Sequence, residues 1–343
     1  MKKLTLKSVA EELGVSTATI SNAFNKPNQL SRAKRLEILE RCEELGYTGP
    51  NKAARSLRRG KTGIVGLVLA NSISYTVNDA VASTFISGVS QCLETNGQQL
   101  LLVSGAGDDL NNVNDFVDGY LCYGSPTNPN LIDALSKTTK PVITVDFNID
   151  GYPSVNIDNI EACYQLVKQT IRPDDVVAVI GLRLIETQLT CRIYDVPMID
   201  PVTSISRRRL LGYEKAFAEC GVDFNYGQLW SIPENIESFA VRAAKEVLSN
   251  QPRPTIVYCM SDLIAVYFIR EAIEMGLSVP DDIRVVGFDG TNEGQRFHPN
   301  LTTVVQNSDS KGERAAIMLL KQSKESQLLP FALHFGDSCP TNG

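Results

Sequence analysis

The chain has 343 residues, two to three times the length of an ordinary domain, so a single core is not expected. Hydrophobic residues make up 43% and charged residues 21%, a balance that excludes wholesale disorder. No apolar run approaches the roughly 18 residues of a membrane span, and Lys7, Glu11 and Glu12 interrupt any signal-peptide core. We therefore expect a cytoplasmic protein without membrane contact.

The residue types that carry most enzyme chemistry are scarce. Eight cysteines are scattered singly, so neither a disulfide framework nor a zinc ribbon is indicated. His298 and His334 are the only histidines, which disfavours histidine metal sites and Ser/His/Asp nucleophiles. Gly105 and Gly107 lack the third glycine of a dinucleotide fingerprint, and no P-loop motif occurs. The sequence predicts no catalytic residue, no metal and no cofactor.

Charge is divided unevenly along the chain. The formal net charge is −6, but residues 1–62 carry 13 Lys and Arg against 6 Glu, while the remainder carries 20 against 33. The head is therefore basic and the body acidic. A basic segment is either a solvated surface or a phosphate-binding face, and its residue pattern decides between them.

Three short helices are predicted in the head. The first is capped by Thr5 and stopped by Gly14, and Ser16 can cap the second after a short turn. Ser31 opens the third, which Gly46 closes. Spacing places four residues on the inner face of the third helix: Leu36, Leu39, Cys42 and Leu45. This arrangement indicates an all-α helix-turn-helix domain over residues 1–49.

The outward face of the second helix carries small polar groups, which suits a helix that enters a DNA major groove. Asn22 can make a bidentate contact to adenine, and the methyl groups of Thr17 and Ala18 can touch thymine. Ser21 and Asn25 suit phosphate contacts. An ordinary solvated face is the alternative, and the turn together with the next segment favours DNA binding.

Residues 50–62 are basic and lie just before an apolar strand, so they are predicted to link two domains. Leu57 is flanked by arginines, among them Arg55. An apolar side chain between cations is the composition of a minor-groove wedge, in which the leucine unstacks a base step and the cations meet phosphates.

From residue 63 onward, short apolar strands alternate with amphipathic helices, which predicts an α/β fold. The predicted strands cover residues 64–70, 99–103, 119–123, 142–145, 176–180, 256–259 and 283–288. The predicted helices cover residues 79–94, 130–136, 159–170, 208–218, 237–249, 262–274 and 309–322. About 280 residues of this pattern exceed one doubly wound sheet, so two lobes with a ligand-binding cleft at the strand carboxyl ends are expected over 63–343.

The head and the linker resemble the lac repressor (LacI/GalR) family of bacterial transcription regulators. The motifs that carry the resemblance are TLKSVAEELGVSTATIS at residues 5–21, ELGY at 44–47 and ARSL at 54–57. The resemblance implies that Thr17, Ala18 and Asn22 read bases and that Leu57 wedges the minor groove. It also implies that phosphates are held by Ser21, Asn25 and Tyr47.

The body is similar to the effector domain of the same family, which is itself similar to periplasmic sugar-binding proteins. The motifs are YCMSDLIA at residues 258–265, VVGFD at 285–289 and LTTVVQ at 301–306. The resemblance places Arg209 and Asp289 against the effector. A guanidinium can fork onto hydroxyls, and a carboxylate can accept their protons. Asp262 is a third candidate, although a role as a helix cap is the favoured interpretation.

Together these features predict a sequence-specific DNA-binding regulator, a repressor, whose body binds a small polar metabolite such as a sugar. The expected partners are palindromic operator DNA, a carbohydrate effector and a second copy of the chain. An enzyme acting on a sugar or nucleotide in the cleft is the alternative, disfavoured by the scarcity of histidine. A transport-type binding protein is contradicted by the basic head.

Overall fold

A computed structural model describes residues 4–49, 61–107, 110–126, 128–194, 196–202 and 204–341. The chain divides into two compact units, residues 1–63 and residues 64–343. The predicted hinge residues Arg55 and Leu57 lie outside the described residues. Among the described helices, none combines the length and the apolar character needed to cross a membrane.

The first unit contains three helices with the predicted caps. They are α1 (Leu6–Leu13), α2 (Thr17–Asn25) and α3 (Arg32–Glu44), with a 3-10 turn at Pro27–Gln29. The Thr5, Ser16 and Ser31 side chains each accept a backbone N–H of the helix that follows. Gly14 adopts a left-handed conformation with φ 66°, which stops α1 and allows the short turn before α2.

The predicted inner face of α3 is confirmed at two positions and wrong at two. Cys42 is buried and Leu39 is partly buried in the head core, whereas Leu36 is 49% exposed and Leu45 is also exposed. Ile38, which was not predicted, is buried as well. Arg35 reaches back across this core, and its Nε donates to the carbonyl oxygen of Ala23 at 2.9 Å. The buried side of α3 therefore includes Ile38 in place of Leu36 and Leu45.

The second unit begins with a lobe built on a six-stranded parallel sheet of order β12-β5-β4-β3-β1-β2. Its strands are β1 (Ile64–Leu69), β2 (Gln99–Val103), β3 (Gly119–Tyr123), β4 (Val142–Val145), β5 (Ser154–Ile157) and β12 (Gln327–Leu329). Its helices are α4 (Ile73–Asn78), α5 (Ala80–Thr95), α6 (Asn111–Asn114), α7 (Pro129–Lys137) and α13 (Ser308–Leu320). The apolar residues of α5 and α13 cover one face, and those of α7 pack on the other.

The second lobe contains a five-stranded sheet of order β10-β9-β6-β8-β7, parallel except for β7. Its strands are β6 (Val177–Leu182), β7 (Cys191–Arg192), β8 (Leu229–Ile232), β9 (Ile256–Cys259) and β10 (Arg284–Val286). Its helices are α8 (Asn159–Thr170), α9 (Ile205–Glu219), α10 (Glu237–Leu248), α11 (Asp262–Glu274) and α12 (Asn292–Arg296). Cores lie on both faces of this sheet, one beneath α8 and α9 and one beneath α10 and α11.

The chain passes between the lobes more than once. It leaves the first sheet after β5, returns through the segment before α13, and leaves again after β12. An antiparallel pair, β11 (Thr303–Val305) with β13 (Ala332–His334), packs beside the second sheet and flanks the last two passages. The two lobes are thus held together by the backbone itself.

Helices α5 and α13 approach each other backbone to backbone. A Cβ built on Gly88 would lie 2.0 Å from the Asp309 carbonyl oxygen, and one built on Gly312 would lie 2.2 Å from that of Phe85. Neither position therefore accepts a side chain without separating the helices. Helix α13 is fixed to the first lobe along this contact.

The predicted α/β pattern is confirmed for the body, and helices α8 and α11 have the predicted bounds. Strands β5 and β8 were not predicted. Each has only four residues, and Asn156 and Ser231 interrupt their apolar character. The 182–205 segment contains the two-residue strand β7, and the 108–118 segment contains the single-turn helix α6.

Candidate functional sites

The first site is the outward face of α2. Ile20 and Ala23 are buried in the head core, so the opposite side of the helix faces outward. Thr17, Ala18 and Asn25 are exposed there, and Ser21 and Asn22 are half-buried. This surface holds small polar and methyl-bearing groups at the start of a helix capped by Ser16, an arrangement that fits a major groove.

Tyr47 lies in the core of the head rather than on its surface. Its ring meets Phe24 edge-on at 5.9 Å between centroids. Burial, and secondarily the Cys42 thiol, raise the pKa of Tyr47. Its hydroxyl is buried and has no hydrogen-bond partner among the described residues, so it does not reach the surface in this conformation.

The second site is a cavity of about 180 Å³ between the lobes of the second unit. The strands of both sheets point their carboxyl ends at it, which is where ligands bind in open α/β sheets. The first lobe contributes Asn71, Tyr75, Asp79, Tyr123 and Asp146. The second lobe contributes Leu182, Ile205, Arg209, Asn235, Ser261 and Asp289.

Arg209 projects from α9 and is held by several groups. Its Nε donates to Asn159 Oδ1 at 3.0 Å and its Nη1 to the Met260 carbonyl oxygen at 2.5 Å. Its guanidinium carbon lies 3.5 Å from the centroid of the Phe288 ring. The remaining nitrogen, Nη2, is 3.6 Å from Asp289 Oδ1. Only Nη2 of the guanidinium therefore remains for a ligand, whereas the sequence predicts a contact through two nitrogens.

Asp289 follows β10 with an unusual backbone angle, φ 126°. Its Oδ1 accepts a hydrogen bond from Gln306 Nε2 at 2.7 Å. Burial raises the pKa of Asp289, and the Arg209 guanidinium acts in the opposite direction. Arg209 and Asp289, 80 positions apart in the sequence, thus pair directly at the cavity wall, and both belong to the second lobe.

The favoured interpretation of Asp262 is only partly right. The N-cap of α11 is Ser261, whose side chain accepts the Ile264 N–H, whereas Asp262 lies in the first turn, where its charge meets the helix dipole. The Asp262 carboxylate accepts hydrogen bonds from Thr303 Oγ1 at 2.6 Å and from Thr291 N at 2.6 Å. Burial raises the pKa of Asp262 to about 6, against these hydrogen bonds. Asp262 is not among the described residues that line the cavity; it holds the loop after Asp289 in place.

Asn235 joins the two lobes across the cavity. Its backbone N–H donates to the Tyr75 hydroxyl at 2.9 Å, and its Nδ2 donates to Asp79 Oδ2 at 3.1 Å. Its Oδ1 accepts from Ser261 Oγ at 2.6 Å. Burial raises the pKa of Tyr75 to about 12, so the phenol stays neutral. One residue of the second lobe thereby contacts α4 and the start of α5 in the first lobe.

A second connection between the lobes runs from Arg208 to Asp146, and Asp146 is paired with Lys311, which sequence reasoning missed. Its Nζ donates to both carboxylate oxygens of Asp146 and to Gln306 Oε1. Arg208 Nη2 donates to the Asp146 carbonyl oxygen at 2.8 Å. Asp146 directly follows a predicted strand, as Asp289 does, and that position was the signal that could have revealed it.

A larger hollow of about 530 Å³ lies at the other end of the second sheet, beside the start of β6. Two of its acidic side chains, Asp174 and Asp223, are exposed, and the third, Asp175, is buried in an ion pair with Arg284. Arg192 in its wall already donates to Asn250 Oδ1. The cavity between the lobes, where buried charged side chains meet at the carboxyl ends of the strands, is therefore the better ligand site.

A helix-turn-helix head joined to a two-lobed body with a polar cleft defines a ligand-responsive DNA-binding regulator. Residues 5–51 match the family "Bacterial regulatory proteins, lacI family", and residues 186–339 match a periplasmic binding protein-like domain. An HTH-type transcriptional regulator of Mycobacterium tuberculosis is 33% identical over 93% of this chain and 91% of its own length. The repressor PurR of Photobacterium profundum is 30% identical over 94% and 92%. The chain belongs to the lacI family of bacterial transcription regulators.

Solved structures have the same fold. A lac repressor dimer bound to operator and an anti-inducer aligns with a TM-score of 0.74 at 21% identity, covering 98% of this chain and 99% of that one. A complex of the regulator CelR with cellobiose aligns with a TM-score of 0.68 at 23% identity, covering 98% and 100%. The predicted family and fold class are confirmed. The chain is a DNA-binding transcriptional regulator, and the enzyme alternative is wrong.

Proposed function

We propose that the α2 face reads operator sequence. Thr17, Ala18 and Asn22 would contact base edges, while Ser21 and Asn25 would contact phosphates. Support comes from the exposure of Thr17 and Ala18 and from the burial of the other side of α2, which leaves this face as its outer surface. The excess of Lys and Arg in residues 1–62 supplies the phosphate attraction that DNA binding needs.

Leu57 would enter the minor groove at the operator centre, with Arg55 beside it and Tyr47 holding a phosphate. The Tyr47 contact requires its side chain to leave the head core, where its hydroxyl is buried without a hydrogen-bond partner among the described residues. Changing Leu57 to Ala should weaken specific binding more than nonspecific binding, because unstacking is repaid only where the central step opens easily. Equal losses on both DNAs would contradict the wedge.

The regulator would act as a cytoplasmic homodimer and a repressor, on an operator whose two halves are related by a two-fold axis. A solved neighbour is described as a dimer bound to operator, and several relatives are named repressors. A monomer in solution at operator-binding concentrations would contradict the dimer.

The effector would be a sugar or sugar derivative in the cleft, held by Arg209 and Asp289. The observation that carries this is their buried pairing at the strand ends, opposite Asp79 and Asp146. The cavity of about 180 Å³ lies below the roughly 300–1,000 Å³ of sites for drug-sized ligands, which favours a monosaccharide. The CelR neighbour was solved with cellobiose, a larger sugar.

One experiment tests the whole proposal. Random DNA fragments retained by the purified full chain are sequenced, with and without individual sugars. We expect a palindromic consensus whose retention changes with one sugar. Sequence-independent retention would contradict specific DNA binding, and a consensus that no sugar alters would contradict the effector class.

A further inference from the structure

Lys311 is a buried cation with every donor in use. The residue is 1% exposed, and its Nζ lies 2.8 and 3.0 Å from the two carboxylate oxygens of Asp146 and 2.8 Å from Gln306 Oε1. An ammonium carries three donors and no acceptor. It can therefore face only acceptor atoms, and the three atoms around it are all acceptors.

Because Lys311 can only donate hydrogen bonds, it fixes the orientation of the Gln306 side-chain amide. Because Oε1 must face Lys311, the amide nitrogen must face the other way, where it donates to Asp289 Oδ1 at 2.7 Å. An amide without such a neighbour could present either end. Lys311 thus determines, through Gln306, that Asp289 receives a donor at this oxygen.

Strained backbone is concentrated at the same place. Five non-glycine residues in the described part of the chain have positive φ, and two of them, Asp146 (65°) and Asp289 (126°), belong to this network. A third, Asn307 (46°), directly follows Gln306. Such conformations persist where the surroundings over-determine them, and they cluster at functional sites. Lys311 itself is on α13, which the glycine contacts with α5 hold to the first lobe.

The network is electrically balanced without a ligand. The three cations Arg208, Arg209 and Lys311 are matched by the three carboxylates of Asp79, Asp146 and Asp289 when all six are charged. The side-chain oxygens of Asp79 accept from Ala82 N and Asn235 Nδ2. An anionic ligand would add charge beside three carboxylates, whereas hydroxyl groups would find acceptors.

We propose that Lys311 is a positioning residue that sets the hydrogen-bond polarity of the effector site, so that the cavity takes an uncharged polyhydroxy compound and rejects its phosphorylated or carboxylated counterpart. This inference rests on the proposed effector site in the cleft. Lys311 does not itself line the cavity; it acts through Gln306 and Asp146, which do.

The first test compares matched ligands on the full chain by calorimetry. The neutral set is D-glucose, D-galactose and D-ribose, and the charged set is D-glucose 6-phosphate, D-glucuronate, D-galactose 6-phosphate and D-ribose 5-phosphate. At least one neutral sugar should bind, with its charged counterpart at least 100-fold weaker. A charged compound that binds as well as its neutral partner would overturn the polarity argument and leave the cleft site standing. Binding by no member of either set would overturn the proposed effector class and this inference with it.

The second test changes the lysine. Lys311→Met should lower the affinity for the neutral sugar at least tenfold, while operator binding in the absence of sugar is kept. Lys321→Met, the same change at an exposed position just after α13, is the control and should alter neither. Wild-type sugar affinity in Lys311→Met would overturn the proposal.

A double-mutant cycle with Gln306→Leu distinguishes action of Lys311 through Gln306 from a merely structural role of Lys311. If Lys311 acts through Gln306, adding Lys311→Met to Gln306→Leu should cost less than threefold further affinity. A full tenfold loss in both backgrounds would overturn the proposed route. Should Lys311→Met fail to fold because Asp146 is left unpaired, the comparison is made between Asp146→Asn and Asp146→Asn with Lys311→Met, where the same tenfold difference is expected.

Discussion

The head and the body place their functional groups in opposite environments. In the head, Thr17 and Ala18 stand on the surface of a helix whose other side forms the core. In the body, the Arg209 and Asp289 side chains are 4% and 7% exposed and are tied to the protein by hydrogen bonds and an ion pair. Recognition and stability are therefore separable in the head and coupled in the body.

The largest expected effect concerns salt. If six or more phosphates are neutralised by the basic head, operator affinity should fall by about 10³–10⁵ between about 50 and 200 mM salt. Sugar binding in the buried cleft should change little over the same range, because buried groups are poorly screened. Fluorescence anisotropy and calorimetry in the same buffers measure both. Operator affinity that does not change with salt, or an equal salt dependence for operator and sugar, would contradict the contrast between an exposed head surface and a buried cleft.

Removing the cleft cation should damage stability as well as binding. Arg209→Ala leaves the buried Asp289 carboxylate without its cation, so the free energy of unfolding should fall by about 3–5 kcal/mol and sugar binding should be lost. Urea titration followed by tryptophan fluorescence measures the first. Arg242→Ala, which breaks an exposed pair with Glu246, is the control and should cost about 0–1 kcal/mol. A loss for Arg209→Ala as small as the control would show that the pair is not coupled to folding.

Asn22→Ala should show the opposite behaviour in the head. Discrimination should relax at one base pair per half-site, by about 1–3 kcal/mol, while thermal stability stays unchanged because Asn22 is outside the buried core. Binding to a set of single-position operator variants reports the discrimination. Uniform weakening on every variant would mean that Asn22 touches only phosphate.

The smallest effect is expected at the cap of α2. Ser16 accepts the Thr19 N–H at 3.0 Å, so Ser16→Ala should cost about 1 kcal/mol. Amide hydrogen exchange along α2 should quicken, while exchange in α9 of the body stays at the wild-type rate. An unchanged exchange rate in α2 would show that the Ser16 cap does not stabilise this helix.

The sequence predicted what depends on neighbouring residues and missed what depends on distant ones. Thr5, Ser16, Ser31 and Gly14 were found because caps and stops are local. The buried face of α3 was predicted only in part, since which of its residues are buried depends on where α1 and α2 lie. The family resemblance implied that Arg209 and Asp289 lie at the cleft, and both line it in the structure.

The polar network behind those two residues was beyond sequence reasoning. Lys311 stands in the polar run SDSKGER, which is typical of a solvated helix face. Its ammonium is buried in a pair with the Asp146 carboxylate, 165 positions earlier in the sequence. No spacing rule reveals such a pairing. The role of Asp262 was predicted only in part for a similar reason, because its partner Thr303 is 41 positions away and Ser261 could cap the helix equally well.

The repeated passage of the chain between the lobes has a consequence for synthesis on the ribosome. The first lobe emerges first, yet its sheet lacks β12 and its core lacks α13 until residues 308–329 have appeared. The second lobe waits longer still, because Ser338 Oγ accepts from Thr302 N and donates to the Val285 carbonyl oxygen. The first lobe therefore cannot finish folding before residue 329 has been synthesised, and the second cannot finish before residue 338. The head, whose three helices are contiguous, can fold while most of the body is still being made.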